Sequence, residues 1–212
     1  MAITTLDGAI AGMQYPRTFA KAVTGTMVAG RPHTIFYQAG MPGAATAPAP
    51  GMSGEALTTF SGQIPFSNPA SGNTYLARFQ GQATIAGTLV LADRLWHNSG
   101  ITVTTTTAQT VNSVEFPARD VNGTVNGENV MVGLEVRVAT GAGAATPTIS
   151  YTNSADADTK TGAMIVPYVA SSIAGTFYPF SLAAGDTGVK SIQSVTLGVS
   201  MSSGSVHLVA YR

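Results

Sequence analysis

VMVGLEVRV, residues 130 to 138, places Val130, Val132, Leu134, Val136 and Val138 at alternate positions, with Glu135 and Arg137 between them. Side chains of an extended chain point to opposite faces with a period of two, so the stretch predicts a strand with one face in a core. Strand-like runs of similar length flank it on both sides. They are QATIAGTLVLA (82–92), ITVTTTT (101–107), TVNSVEFPA (110–118), TPTISYTN (146–153), GAMIVPYVA (162–170), GTFYPFSLA (175–183), VKSIQSVTLGVS (189–200) and SVHLVAYR (205–212). The segments between them, HNSG, RDVNGTVNGEN, ATGAGAAT, SADADTKTG and AAGDTGV, are rich in the residues that turns demand.

Eight or nine short antiparallel strands without a βαβ rhythm predict an all-β fold. The expected architecture is a two-sheet antiparallel β-sandwich of jelly-roll-like type over residues 75–212. Six of the eleven residues from 101 to 111 are threonine and none is charged. Threonine is β-branched and suits pleated surfaces, so this run reads as strand and turn.

Residues 1–74 have another character. TLDGAIAGM fits a short helical turn, and TFAKAVTGTMVAG and RPHTIFYQAG are strand-like runs joined at Gly30-Arg31-Pro32, which suggests a hairpin. Eleven of the thirty-three residues from 40 to 72 are Gly or Pro, and Glu55 is their only formal charge. That density breaks both helix and ladder, yet Met41, Met52, Leu57, Phe60, Ile64 and Phe66 would be costly to leave in water. Two readings stand: an ordered loop packed across its own domain, or an arm laid on a partner.

Ten basic and ten acidic residues give zero net charge, and only 9% of the chain is charged. A nucleic-acid partner would need a basic stripe, which the chain lacks. A nearly uncharged surface suits a protein covered by partners or by copies of itself. No cysteine is present, which excludes disulfides and thiolate chemistry. The first residues, MAITTLDGAIAGMQYPR, carry no basic segment followed by an apolar one, and no apolar run is long enough to span a bilayer. A soluble product made in the cytoplasm, without membrane contact, is expected.

Candidates for chemistry are few. His33, His97 and His207 are far apart in sequence and lack a local metal-ligand spacing. Ser53 in GMSGEA lacks the spacing of a nucleophile elbow, and in AAGDTGVKS Val189 separates Gly188 from Lys190, unlike a phosphate loop. The acidic turns from Asp120 to Glu128 and at Asp156-Ala157-Asp158 offer oxygen ligands without the glycine and glutamate positions of a calcium loop. A glycoside hydrolase would need two carboxylates about 5–10 Å apart, and only Glu115 and Glu135 fall inside predicted strands. No catalytic residue, metal or cofactor is expected. Trp96, the only tryptophan, lies between Leu95 and His97. Closing the sandwich core is its favoured role; exposed, it would anchor a partner. The candidate partner-binding residues are therefore Met41, Met52, Phe60, Ile64, Phe66 and Trp96.

RPHTIFYQAGMPGAATAPAPG, then QIPFSNPASGNTYLARFQGQATIAGTLVLADRLWHNSGI, and GVKSIQSVTLGVSMSSGSVHLVAYR together resemble a group of virion structural proteins of tailed bacteriophages. DRLWHNSGI and SIQSVTLG with GSVHLVAYR carry most of the likeness. The resemblance implies a particle protein located on the virion: a capsid decoration, or cement, protein that binds the major capsid protein and itself. A collar, tail or head-fibre part that recognises a receptor or glycan is the alternative. No residue-level function comes with it.

Overall fold

In the alternating stretch, Met131–Val138 is a strand whose even-numbered residues Val132, Leu134 and Val136 are buried in the core, while Val138 emerges into solvent at its end. The computed structural model describes residues 3–22, 25–84, 86–144 and 146–212. Six positions included in the expectations above lie outside the described residues: Met1 and Ala2 in MAITTLDGAIAGMQYPR, Val23 and Thr24 in the first strand-like run, Ile85 in the 82–92 run, and Ala145 in the 139–146 turn.

A short helix, α1 (Leu6–Ala11), is followed by β1 (Ala20–Ala22), β2 (Ala39–Met41), β3 (Glu55–Ala56), β4 (Arg94–His97) and β5 (Ala108–Thr110). Then come β6 (Met131–Val138), β7 (Thr148–Asn153), β8 (Lys160–Met164), β9 (Phe177–Ser181), β10 (Val189–Thr196) and β11 (Ser205–Tyr211). β1 and β2 pair with each other. The other nine form one curled antiparallel sheet in the order β3-β4-β11-β6-β9-β8-β7-β10-β5.

The curl is made at β9, where Phe177, Tyr178 and Pro179 pair with β6, whereas Phe180 and Ser181 pair with β8. One ladder thereby becomes two layers, β4-β11-β6-β9 and β8-β7-β10-β5. Between β4 and β11 the chain changes layer at every step except the β7–β8 hairpin, and this is the strand order of a jelly roll. A single apolar cluster fills the space between the layers, with Trp96, Leu134 and Leu208 from one and Tyr151, Ile192 and Val195 from the other. Each such side chain contributes about 1.5–3 kcal/mol on burial.

Several local expectations are revised. QATIAGTLVLA forms no strand among its described residues, and Leu89, Val90 and Leu91 are exposed. The edge beside β4 is taken by β3, through Glu55 opposite His97 and Ala56 opposite Trp96. RLWH, which lies in none of the expected strands and whose last residue begins the expected turn HNSG, is β4. ITVTTTT is a turn: the Gln109 amide bonds both the N–H and the C=O of Thr102, at 2.8 and 3.1 Å, and ladder pairing begins only at Ala108. Glu115 is exposed and outside any strand. The N-terminal runs do pair, but at their far ends, Ala20 opposite Met41, and not around a tight turn at Gly30.

The Gly/Pro-rich segment divides. Its first part, together with residues 32–39 before it, is a third layer, fixed along the outer face and the β4 edge of β4-β11-β6-β9. Thr34 N–H donates to Gly175 O (2.7 Å), Phe177 N–H to Pro32 O (3.0 Å), Leu57 N–H to Leu95 O (2.8 Å) and Ser99 N–H to Gly51 O (2.9 Å). Gly54 explains why the approach can be so close. At φ +70° a Cβ there would lie 2.4 Å from both the Trp96 indole and the His97 carbonyl oxygen. Beyond residue 65 the chain is almost entirely exposed as far as Ala92.

Candidate functional site

The third layer covers a cluster of titratable side chains. Glu135 on β6 faces away from the core, yet it is 0% exposed because residues 34–37 lie over it. Its carboxylate accepts hydrogen bonds from Thr34 Oγ1 (2.6 Å), Tyr37 OH (3.0 Å) and Arg94 Nη1 (2.7 Å). Burial pushes this carboxyl up, but the Arg94 charge and the three donors outweigh it and hold it below the usual carboxylate range. Burial and the neighbouring carboxylate drive the Tyr37 hydroxyl well above its ordinary range. Arg94 lies over the Phe36 ring at 4.6 Å, and Arg137 over Tyr37 at 4.8 Å.

Arg94 also donates through Nε to His97 Nδ1 (3.2 Å). That contact assigns the tautomer: Nδ1 is the acceptor, so Nε2 carries the proton and donates to Glu55 Oε1 (3.0 Å). His207 stands opposite Glu135 in the β6–β11 ladder. It is 4% exposed, and neither ring nitrogen has a hydrogen-bond partner among the described residues. His33 enters from the layer itself and bridges to Thr176. The three histidines, scattered in sequence, thus converge on one interface, although no group among the described residues has the geometry to hold a metal. Glu135, which accepts three hydrogen bonds, is the buried counter-ion of Arg94.

The acidic turns have internal partners. Asp120 accepts from the N–H groups of Asn122, Thr124 and Glu128 and from the Thr124 hydroxyl. Burial opposes ionisation there, but the donors prevail and bring its pKa to about 2. Asp158 accepts from the Thr152 hydroxyl (2.7 Å), and Asp156 pairs with Lys190 (2.5 Å).

The six candidate contact residues separate by position. Trp96 is 0% exposed, with its indole N–H donating to Ser53 O (3.0 Å); it closes the core, as favoured. Met52 packs against that core, and Phe60 lies between Phe36 (5.9 Å) and His97 (4.7 Å). Met41 and Phe66 are exposed, and Ile64 is half-buried. Met41 and Ile64 line a shallow groove of about 230 Å³ with Phe19, Pro42 and Pro65.

Sequence reasoning missed most of the exposed apolar residues, which lie on either side of the layer. Leu6, Ile10, Met13 and Tyr15, the last 95% exposed, precede it; Tyr75, Leu76 and Val90, the last 83% exposed, follow it. The two stretches meet where Phe19 stacks on Phe79 at 6.1 Å. Their signal was available as apolar side chains in segments with no sheet partner. No helix among the described residues is long and apolar enough to cross a membrane. No family model matches the chain, and no significant match was found among curated proteins or solved structures.

Proposed function

We propose that this chain is a virion structural protein of a tailed bacteriophage, acting as a capsid decoration protein that binds the major capsid protein and further copies of itself. The observation that carries the reading is the pair of segments, 3–29 and 66–92, whose described residues expose large apolar side chains, attached to a jelly roll with an apolar core of its own. Large apolar surfaces on a soluble domain mark places where another protein sits. The two segments hold only Asp7, Arg17, Lys21 and Arg78 as formal charges, so the contact relies on apolar area. The sequence resemblance points to the same class, and a rigid sandwich with reaching arms is what a cementing protein needs.

Counting copies in purified particles by quantitative mass spectrometry tests the proposal. On the order of hundreds of copies per particle supports decoration of a symmetric shell. A few dozen or fewer supports a collar, tail or head-fibre part instead. Absence from particles overturns the virion reading. Because residues 33–64 belong to the folded unit, the matching variants should touch only the arms. Tyr75→Ala and Phe66→Ala should each weaken binding to undecorated shells by about tenfold or more, from the loss of about 1.5–3 kcal/mol of apolar burial.

A further inference from the structure

All of the chain's histidines, three in number, lie at the interface between the third layer and the sandwich, and none is in the jelly-roll core. We infer that this interface is an acid-sensitive lock: His97 and His207 must be neutral for residues 33–60 to stay docked, and protons release that layer while the jelly roll remains folded. The inference concerns contacts within the chain and stands apart from the virion reading.

The hydrogen bonds carry the argument. His97 Nδ1 accepts from Arg94 Nε at 3.2 Å, and a proton placed on Nδ1 would set one N–H against another. The bond that fixes Arg94 beside Glu135 would be lost, with Phe60 edge-on to the same ring at 4.7 Å. His207 is buried and neither ring nitrogen makes a hydrogen bond of good geometry among the described residues, the Asn98 backbone being the one group placed to favour a second ring proton. The charges that act on it are those of Glu135 on β6 and of Arg94 and His97 on β4; Tyr37 and His33 in the layer, Glu55 on β3, Arg137 on β6 and Tyr211 on its own strand border the same interface. At neutral pH Arg94 and Arg137 balance Glu135 and Glu55, and burial keeps Tyr37 and Tyr211 protonated. Each histidine proton therefore adds an uncompensated positive charge where little water can reach it.

The titration directions agree. Burial lowers all three histidines, and His207 falls to about 4 although Glu135 and the Asn98 backbone oppose the shift. A detached layer returns them to the ordinary value of 6.5 and binds more protons than the docked one. Docking is accordingly at full strength above about pH 6.5 and weakens as pH falls toward 4, by up to about tenfold per pH unit for each histidine. Asp120, with its pKa near 2, does not contribute in that window.

Hydrogen exchange of the full chain between pH 7.5 and 4.5, corrected for intrinsic rates, tests the lock, with Trp96 emission as a second readout because its indole N–H reaches Ser53 in the layer. The expected result is loss of protection at residues 33–60 with unchanged far-ultraviolet circular dichroism, and a much flatter profile in the His97→Gln/His207→Gln variant. Protection that persists to pH 4.5, opening of the variant at the wild-type pH, or loss of layer and β signal in one transition would overturn it. Should the variant fail to fold, ring titration of the wild type by NMR decides. Imidazole midpoints that coincide with the opening support the lock, and midpoints that do not coincide refute it.

Discussion

Replacing Glu135 by Gln removes one charge and almost no volume from the centre of the interface. The carboxylate is fully buried and receives three hydrogen bonds, whereas the Arg94 side chain retains 16% exposure. Breaking a buried pair from one side typically costs about 3–5 kcal/mol, because the remaining charge is left without a counter-ion. Partial access of water to Arg94 places this case at the lower end, about 3 kcal/mol. Replacing Arg94 as well, Glu135→Gln with Arg94→Met, strands no charge while the Gln side chain still offers an acceptor to the Thr34 and Tyr37 hydroxyls, and should recover about 1 kcal/mol or more of that loss. Urea unfolding followed by Trp96 fluorescence measures both, and the single change should shift the midpoint by roughly 1 M or more at an ordinary slope. A single variant within about 1 kcal/mol of wild type, or a double variant no better than the single, would refute the picture of a dry, compensated cluster.

Gly54→Ala should detach the third layer, since its Cβ would lie 2.4 Å from the Trp96 ring and φ is +70°. Protease cleavage within 33–60 should accelerate while β circular dichroism is retained. Asp120→Asn should lower the melting temperature by several degrees, because an amide cannot accept from the three N–H groups and one hydroxyl that the carboxylate serves. The same carboxyl supplies a pH test. Its pKa is about 2 in the fold against an ordinary 3.8, so its stabilisation is complete above pH 3.8 and disappears as pH falls toward 2; unfolding of the Asn variant should lack that component.

The core face was legible because its signal is local. Val130, Val132, Leu134 and Val136 alternate within one strand, and their burial follows from that pattern alone. The edges were not legible, since an edge depends on which segment reaches it. Apolar residues at 82–92 looked like a strand, but the two residues Glu55 and Ala56, inside a Gly/Pro-rich stretch, occupy the place beside β4. The fate of Glu135 is non-local too: Thr34 and Tyr37, which hold it, lie 101 and 98 residues away. Period-two patterning says only that Glu135 points away from the core. Whether water or another layer meets it is decided by a distant segment whose composition resembles a linker.

Scarcity of charge takes on a physical meaning once the pairs are located. Arg94 is committed to Glu135, Arg119 to Asp93, Lys190 to Asp156, and Glu55 to His97. Between Arg31 and Arg78 the single charge, Glu55, already bonds His97 through one carboxylate oxygen. The exposed segments offer Leu6, Ile10, Tyr15, Phe66, Tyr75 and Val90 with few charges among them, so electrostatic steering has little to act on. Any partner must be recognised by shape and apolar area. Such contacts are individually weak and gain strength when a lattice holds many copies side by side. The histidine interface places the anchoring of the 66–92 segment under a separate control, because that segment is continuous with the layer that His97 and His207 hold in place.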